Sequence, residues 1–349
     1  MSRLDDALAL VAVSSVSRDE SRLASAVESA LAKNGALEVV RIGDNVVART
    51  SNNRAHRVIV AGHLDTVPGD AALAKVVGDR LEGVGACDMK GSLAVMIELA
   101  TDPVERSVDV TWVFYAREEI VRSESGLLEI AELRPDLLVA DVAVLAEPTG
   151  GVVEAGCQGT LRLELVLRGQ RAHTARPFTG RNALHRLGPV LNTIAAYEPR
   201  VVTIDGVTYT EQLQAVLIEG GIAANVVPDE VRCTLNHRVA PDRTLDEAFA
   251  SVRSLVSGQL EATDELTVVD WAPAAAPALS NERLAKLVQL TGQPARGKVG
   301  WTDVATFGER GVPATNFGAG DPLLAHRADE FVTESELDEF ARVLKLWLS

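Results

Sequence analysis

Two histidines and several carboxylates recur along this chain at places where apolar runs end. His63 and Asp65 form a His-x-Asp pair just after Val58-Ile59-Val60-Ala61. Asp88 lies in Gly85-Ala86-Cys87-Asp88-Met89-Lys90-Gly91, and Glu118-Glu119 follows Val113-Phe114-Tyr115. Glu147 follows Val144-Leu145-Ala146, and His326 comes a few residues after the apolar stretch from Pro313 to Phe317. Imidazole nitrogen and carboxylate oxygen are ligands that zinc accepts. Two divalent cations about 3.5 to 4 Å apart need roughly two His and three carboxylates, with one residue shared. Three carboxylates and a hydroxide would also balance four positive charges. That leaves one glutamate over for proton transfer, and Asp65 to orient His63 through the second ring N–H.

A lone acid after a strand more often caps the following helix. Here the metal reading rests on five ligand-type residues sharing one kind of position, and ligand sites in open α/β sheets gather at the carboxyl ends of strands. The elements that must hold them are legible in the spacing. Leu4, Ala7, Leu8 and Val11, then Leu23, Val27 and Leu31, predict two opening helices. Short apolar segments then alternate with helical ones: Arg57 to Ala61, Ser92 to Leu99, Val108 to Tyr115, Gly126 to Leu133 and Asp141 to Ala146. That alternation predicts an α/β domain on a mostly parallel sheet.

From Thr160 the period changes to two, with Leu161, Leu163, Leu165 and Leu167 on one face, as in an antiparallel sheet with one buried side. A helix with Leu184, Leu187, Val190, Leu191 and Ile194 on one side follows. Strands are then predicted around Gln214 to Ile218, Val231 to Val239 and Leu266 to Trp271. Ala272-Pro273-Ala274-Ala275-Ala276-Pro277 reads as a return linker. The expected organisation is a discontinuous catalytic domain, 1–159 and 273–349, with a smaller α+β domain, 160–272, inserted in it. A chain of 349 residues exceeds the size at which single cores stop growing, which agrees with two domains.

A formal charge of -15 argues against a nucleic-acid partner, since phosphate contacts need clustered Lys and Arg. No apolar run approaches a membrane span, and Met1-Ser2-Arg3-Leu4-Asp5-Asp6 lacks the basic-then-apolar order of a signal segment, so no membrane association and a cytoplasmic location are expected. Cys87, Cys157 and Cys233 are few, odd in number and far apart, and read as reduced structural thiols.

Taken in order, Gly62-His63-Leu64-Asp65-Thr66-Val67-Pro68, Asp88-Met89-Lys90-Gly91, Glu118-Glu119, Glu147-Pro148-Thr149 and Ala325-His326 resemble the motifs of the aminoacylase and carboxypeptidase G type of zinc hydrolases. The resemblance implies two Zn2+, with Co2+ as a substitute. Asp88 would bridge them, His63 and Glu147 would complete one site, and Glu119 and His326 the other. Glu118 would be the general base of an amide hydrolysis, with Asp65 as the orienter of His63. The family writes Asp-Glu-Glu-Gly where this chain has Arg117-Glu118-Glu119-Ile120, so the local turn and charge differ while both glutamates remain.

The resemblance further implies that the inserted domain is a lid and dimerisation module. His173, in Arg171-Ala172-His173-Thr174-Ala175-Arg176-Pro177, would reach the active site of the other copy in a homodimer and donate to the oxyanion. Segments such as Phe114-Tyr115-Ala116-Arg117-Glu118-Glu119-Ile120, Glu154-Ala155-Gly156-Cys157-Gln158-Gly159-Thr160 and Gly300-Trp301-Thr302-Asp303-Val304 narrow the resemblance to members acting on a small, multiply anionic N-acyl amino acid. Such a substrate needs local cations. Arg238 lies opposite the apolar positions of its strand, where its planar fork would grip a carboxylate. Asn225 resembles a carboxylate-binding lid residue, and Thr160 and Thr302 match positions near the acyl group. A deacetylase acting on acetylornithine, or a dipeptidase, would keep the ligands and change the pocket. A non-catalytic metal-binding dimer would keep the fold, but retention of Glu118 with all five ligands argues against it.

Overall fold

The computed structural model describes residues 2–349 and divides into two compact units. The first takes the chain up to Gly156, with Pro277–Gly297 and Thr302–Ser349. The second comprises Cys157–Ala276 with Lys298–Trp301.

In the first unit an eight-stranded sheet has the order Glu38–Ile42, Asn45–Arg49, Asp109–Tyr115, Arg57–His63, Val142–Leu145, Ala314–Asn316, Glu154–Ala155 and Arg296–Gly297. The four middle strands run parallel, so the ends of Arg57–His63, Asp109–Tyr115 and Val142–Leu145 share one edge. Their side chains are buried on both faces, Asp109–Tyr115 along its whole length, as expected of parallel strands covered by helices. The opening helices form at Arg3–Val11 and Ser21–Leu31. Leu4, Ala7, Val11, Leu23, Val27 and Leu31 join one apolar core with Gly91–Thr101 and Glu334–Leu348. No helix among the described residues is long and apolar enough to cross a membrane.

The antiparallel hairpin Glu38–Ile42 with Asn45–Arg49 has no counterpart among the expected strands. Its first strand, Glu38-Val39-Val40-Arg41-Ile42, is too short for a decisive period. The hairpin matters because Asn45 reaches the loop that carries the glutamate pair. Asn45 Oδ1 accepts from Ala116 N at 2.9 Å, and Gly126 N donates to Ala116 O at 2.7 Å. A Cβ on Gly126 would lie 1.9 Å from Asn45 Oδ1, so only glycine allows this approach.

In the second unit a four-stranded antiparallel sheet has the order Gln212–Gly220, Glu230–Val239, Gly159–Arg168, Glu265–Ala272. Its buried face packs on the helices Ala183–Ala195 and Leu245–Val256. Leu184, expected on the buried side of its helix, is 37% exposed. Ala183 takes that face instead, because the helix begins at Asn182 and its apolar stripe runs through Ala183, Leu187, Val190 and Ile194. The second unit also extends past the expected return. Cys157 and Ala275 exchange backbone hydrogen bonds at 3.1 and 3.0 Å, Gln158 N donates to Lys298 O at 3.2 Å, and Trp301 Nε1 donates to Pro273 O at 3.0 Å. These non-local bonds leave no periodic trace in the sequence.

Candidate metal centre

The first unit brings His63, Asp88, Glu119 and His326 together. His63 ends its strand and is 1% exposed, with Nε2 3.0 Å from Asp88 Oδ1. On the other side of Asp88, His326 Nε2 lies 3.5 Å from Oδ2 and 2.9 Å from Glu119 Oε1. Each carboxylate oxygen of Asp88 therefore faces a different histidine, which is the disposition a bridging ligand needs. Ligand atoms of His63, Asp88 and Glu119 all lie within 4.8 Å of one another. Glu147, 6% exposed at the end of Val142–Leu145, adds its charge to His63 and to Glu118.

This donor set fits divalent cations. Carboxylates buried this closely are costly unless a positive charge joins them. Burial opposes protonation of His63, but Asp65, Asp88 and the charge of Glu147 outweigh it and hold the imidazole pKa well above its ordinary value. Asp88 and Glu119 push His326 up to about 10 against its desolvation. Burial first, then repulsion from Glu147, holds the Glu118 carboxyl well above the usual carboxylate range, with His63 acting in the opposite sense. A cation can replace the protons that these histidines hold among the acids.

Asp65 works differently from the side-chain orienter that the motif suggests. His63 Nδ1 lies 2.9 Å from the Asp65 carbonyl oxygen, whereas the carboxylate is 3.6 Å away. The carboxylate instead accepts from Glu118 N at 2.9 Å, Glu119 N at 3.0 Å and Ser17 Oγ at 2.7 Å. One residue thus fixes the ring with its main chain and the glutamate pair with its side chain.

Three supporting residues escaped the sequence reading. Glu330, 1% exposed, accepts from Cys87 N at 2.8 Å and Asp88 N at 2.9 Å, holding the main chain of that aspartate. Glu20, fully buried, accepts from Arg117 N at 3.0 Å. Asp303, fully buried, accepts from Thr306 Oγ1 at 2.7 Å and Ser125 Oγ at 3.3 Å. Glu20 and Glu330 are acids far in sequence from the amides they accept, while Asp303 has one near partner, Thr306, and one distant one, Ser125. Only Asp303, in the Trp301-Thr302-Asp303 motif, carried any signal.

Arg117, where the family has an acid, adopts a left-handed backbone at φ 61°. Its Nε donates to Glu124 O at 2.7 Å and its Nη2 to Glu129 Oε2 at 2.6 Å. Thr302 is buried in the same unit, with Oγ1 donating to Asn316 Oδ1 at 2.9 Å.

The remaining expected site residues belong to the second unit. Arg238 donates to Thr160 Oγ1 at 2.5 Å across paired strands, bringing those two together. Asn225 is exposed, and its carbonyl accepts from Thr174 N at 3.1 Å. His173, exposed, accepts from Ala175 N through Nδ1 at 3.0 Å, which places the proton of the neutral ring on Nε2 and makes that nitrogen a donor.

Removing the Asp65 carboxylate should loosen both glutamates. Asp65→Ala is expected to weaken metal binding by about 10 to 100-fold in a competitive chelator titration. Unchanged affinity would remove Asp65 from this role. Because metal ligation requires neutral imidazole, cation uptake should release protons held by His63 and His326. Affinity should therefore rise with pH through the neutral range, by up to about tenfold per unit for each proton displaced. A pH-independent affinity in the same titration would contradict that account.

Residues 59–349 match the model of peptidase family M20/M25/M40. A succinyl-diaminopimelate desuccinylase of Corynebacterium glutamicum is 42% identical over 350 residues, covering 97% of this chain and 94% of that protein. A Mycobacterium tuberculosis protein with the provisional name succinyl-diaminopimelate desuccinylase DapE is 46% identical over 345 residues, covering 97% and 96%. Among solved structures, a Staphylococcus aureus tripeptidase superposes with a TM-score of 0.79 at 21% identity, covering 99% of this chain and 96% of that one. The Bacillus subtilis YXEP protein gives 0.74 at 15%, covering 99% and 97%. With a matching family model over most of its length and a donor set suited to divalent cations, this chain belongs to peptidase family M20/M25/M40 and is a metal-dependent hydrolase.

Proposed function

We propose that this protein hydrolyses N-succinyl-L,L-2,6-diaminopimelate to succinate and L,L-diaminopimelate, a step of lysine and cell-wall precursor synthesis. The observation that carries the reading is identity of 42 to 46% to the desuccinylases across nearly the whole chain. The cofactor is two Zn2+, with Co2+ as a substitute, a reading supported by Asp88 facing two separate histidines with Glu119 beside them and by the charges of Glu118 and Glu147 nearby.

Bound divalent cations supply Lewis acidity and make water a better nucleophile at neutral pH. The protein's own part centres on Glu118. Its carboxyl, raised by burial and by Glu147, is suited to take a proton from the attacking water and return it to the leaving amine. Asp65 holds the Glu118 main chain in place during that exchange.

The second unit acts as lid and dimerisation module in a homodimer. His173 offers Nε2–H to the developing oxyanion in the active site of the other copy, with the tautomer fixed by Ala175 N. Arg238 and Asn225 bind substrate carboxylate, and Thr160 and Thr302 contact the acyl portion. Burial lowers the Arg238 pKa, so a bound carboxylate would stabilise its charge. The enzyme works in the cytoplasm, in keeping with three buried cysteines that form no disulfide.

Hydrolysis should be followed by loss of amide absorbance on N-succinyl-L,L-diaminopimelate, N-acetylornithine and a dipeptide in parallel. Preference for the succinyl compound is expected. Preference for either other substrate would overturn the named activity and keep the metal chemistry. Glu118→Gln should retain its metal and lose at least about 10²-fold in turnover. Near-normal turnover would exclude Glu118 as the base.

A further inference from the structure

The second unit contains a cavity of about 310 Å³ that the amide chemistry does not use. Its polar lining comes chiefly from Tyr197, Glu198, Arg200, His237, Arg243 and Ser251. Along Glu230–Val239 burial alternates strictly, so His237 faces the helices while Arg238 occupies the opposite face.

His237 is an odd residue for this position. The other buried side chains of its strand are Val231, Cys233, Leu235 and Val239. At 1% exposure neither of its ring nitrogens makes a hydrogen bond to a described residue. The nearest acid is Glu211, whose Oε2 lies 3.7 Å from Nε2, beyond hydrogen-bond length. Glu211 is itself fully buried. Its Oε1 accepts from Ala240 N at 3.1 Å and faces Arg200 Nη1 and Arg243 Nε, each at 3.3 Å, while Oε2 has no hydrogen bond. An apolar side chain would fill this place without unmet polar atoms, each of which costs about 1–3 kcal/mol when buried.

Charge decides what the cavity suits. Arg200 is engaged by Glu211 and Asp242. Arg243 meets Glu211 through Nε alone, and its two Nη groups make no hydrogen bond to the described residues. Glu198 is an exposed acid in the same lining. The walls thus offer a guanidinium fork and a carboxylate together, a pairing that suits neither a bare anion nor a bare cation. The volume is at the small end of ligand sites, roughly 300 to 1,000 Å³.

We propose that this cavity binds a free α-amino acid, its carboxylate on the Arg243 fork, its ammonium on Glu198 and its side chain against His237. The site is independent of the amidohydrolase reading, since every residue in it lies in the second unit and none is a metal ligand. A ligand here would press on the back of the strand that carries Arg238.

The test uses the full-length, metal-loaded protein with ¹³C-labelled histidine. The chain has six histidines, so the ring signals can be followed individually. His237 is assigned by its Overhauser contact to Tyr197, whose ring packs edge-on with centroids 6.4 Å apart. L-Lysine, L-glutamate and L-alanine are titrated, with propionate and ethylamine as singly charged probes. At least one amino acid should shift the His237 signal saturably, with the single-charge probes at least tenfold weaker. Arg243→Met should weaken that response at least tenfold while leaving the ligand-free His237 signal in place. Signals of His63 and His326 separate this event from binding at the metal centre. No His237 response to any of the three amino acids, an equal response to propionate, or undiminished affinity in Arg243→Met would each overturn the proposal.

Discussion

The centre depends on buried negative charge being held in a fixed arrangement, and Asp65 is where that arrangement is set. Its carboxylate accepts two consecutive backbone amides, those of Glu118 and Glu119, at 2.9 and 3.0 Å. Two amides pointing at one carboxylate make the turn after Asp109–Tyr115 a rigid object, so the two glutamates project from known positions. Hydrogen bonds to a charged acceptor are roughly twice as strong as neutral ones, and here they are shielded from water. Asp65 lies two residues past the strand end at His63, so that histidine and the glutamate pair are referenced to the same piece of chain.

The same device recurs around Asp88. Glu330 accepts the amides of Cys87 and Asp88, doing for that aspartate what Asp65 does for the glutamates. Glu330 lies just before the strand Phe331–Thr333, which pairs with Arg80–Glu82. Residues 326–330 therefore contribute both His326, which faces Asp88 and Glu119, and Glu330, which holds the Asp88 main chain. Acids that hold main chain surround acids suited to hold metal, and a site built this way resists collapse when its charge changes.

Legibility in the sequence followed the range of the interactions. The proximity of His63, Asp88, Glu119 and His326 is legible to the extent that ligand-type residues recur beside apolar runs, and parallel pairing brings three such runs to one sheet edge. Glu20 and Glu330 were not visible, because an acid that accepts a distant backbone amide looks in sequence like any solvated acid. Asp65 was found for a partly different reason than the one that holds. The His-x-Asp pair pointed to a side-chain contact with His63, whereas the closer contact is main chain and the carboxylate turns to Glu118 and Glu119. The change of period at Thr160 accompanies the antiparallel sheet of the second unit, but Lys298–Trp301 joins that unit through bonds to Gln158 and Pro273 that no local pattern signals.

Arg117 shows how a departure from a family motif can leave the chemistry intact. A non-glycine residue in left-handed conformation costs of order 1–3 kcal/mol and persists only where its surroundings determine it. Here Glu20 takes the Arg117 amide, Glu124 O takes Nε and Glu129 takes Nη2, so main chain and guanidinium are both fixed. Glu129 is in turn held by Asn45 Nδ2 at 2.9 Å, and Asn45 Oδ1 accepts the amide of Ala116, the residue before Arg117. The arginine therefore closes a ring of contacts behind the turn, with its charge matched by Glu129. Replacing an acid by a base at this position changes how the turn is braced, while the Glu118 and Glu119 amides still end on Asp65.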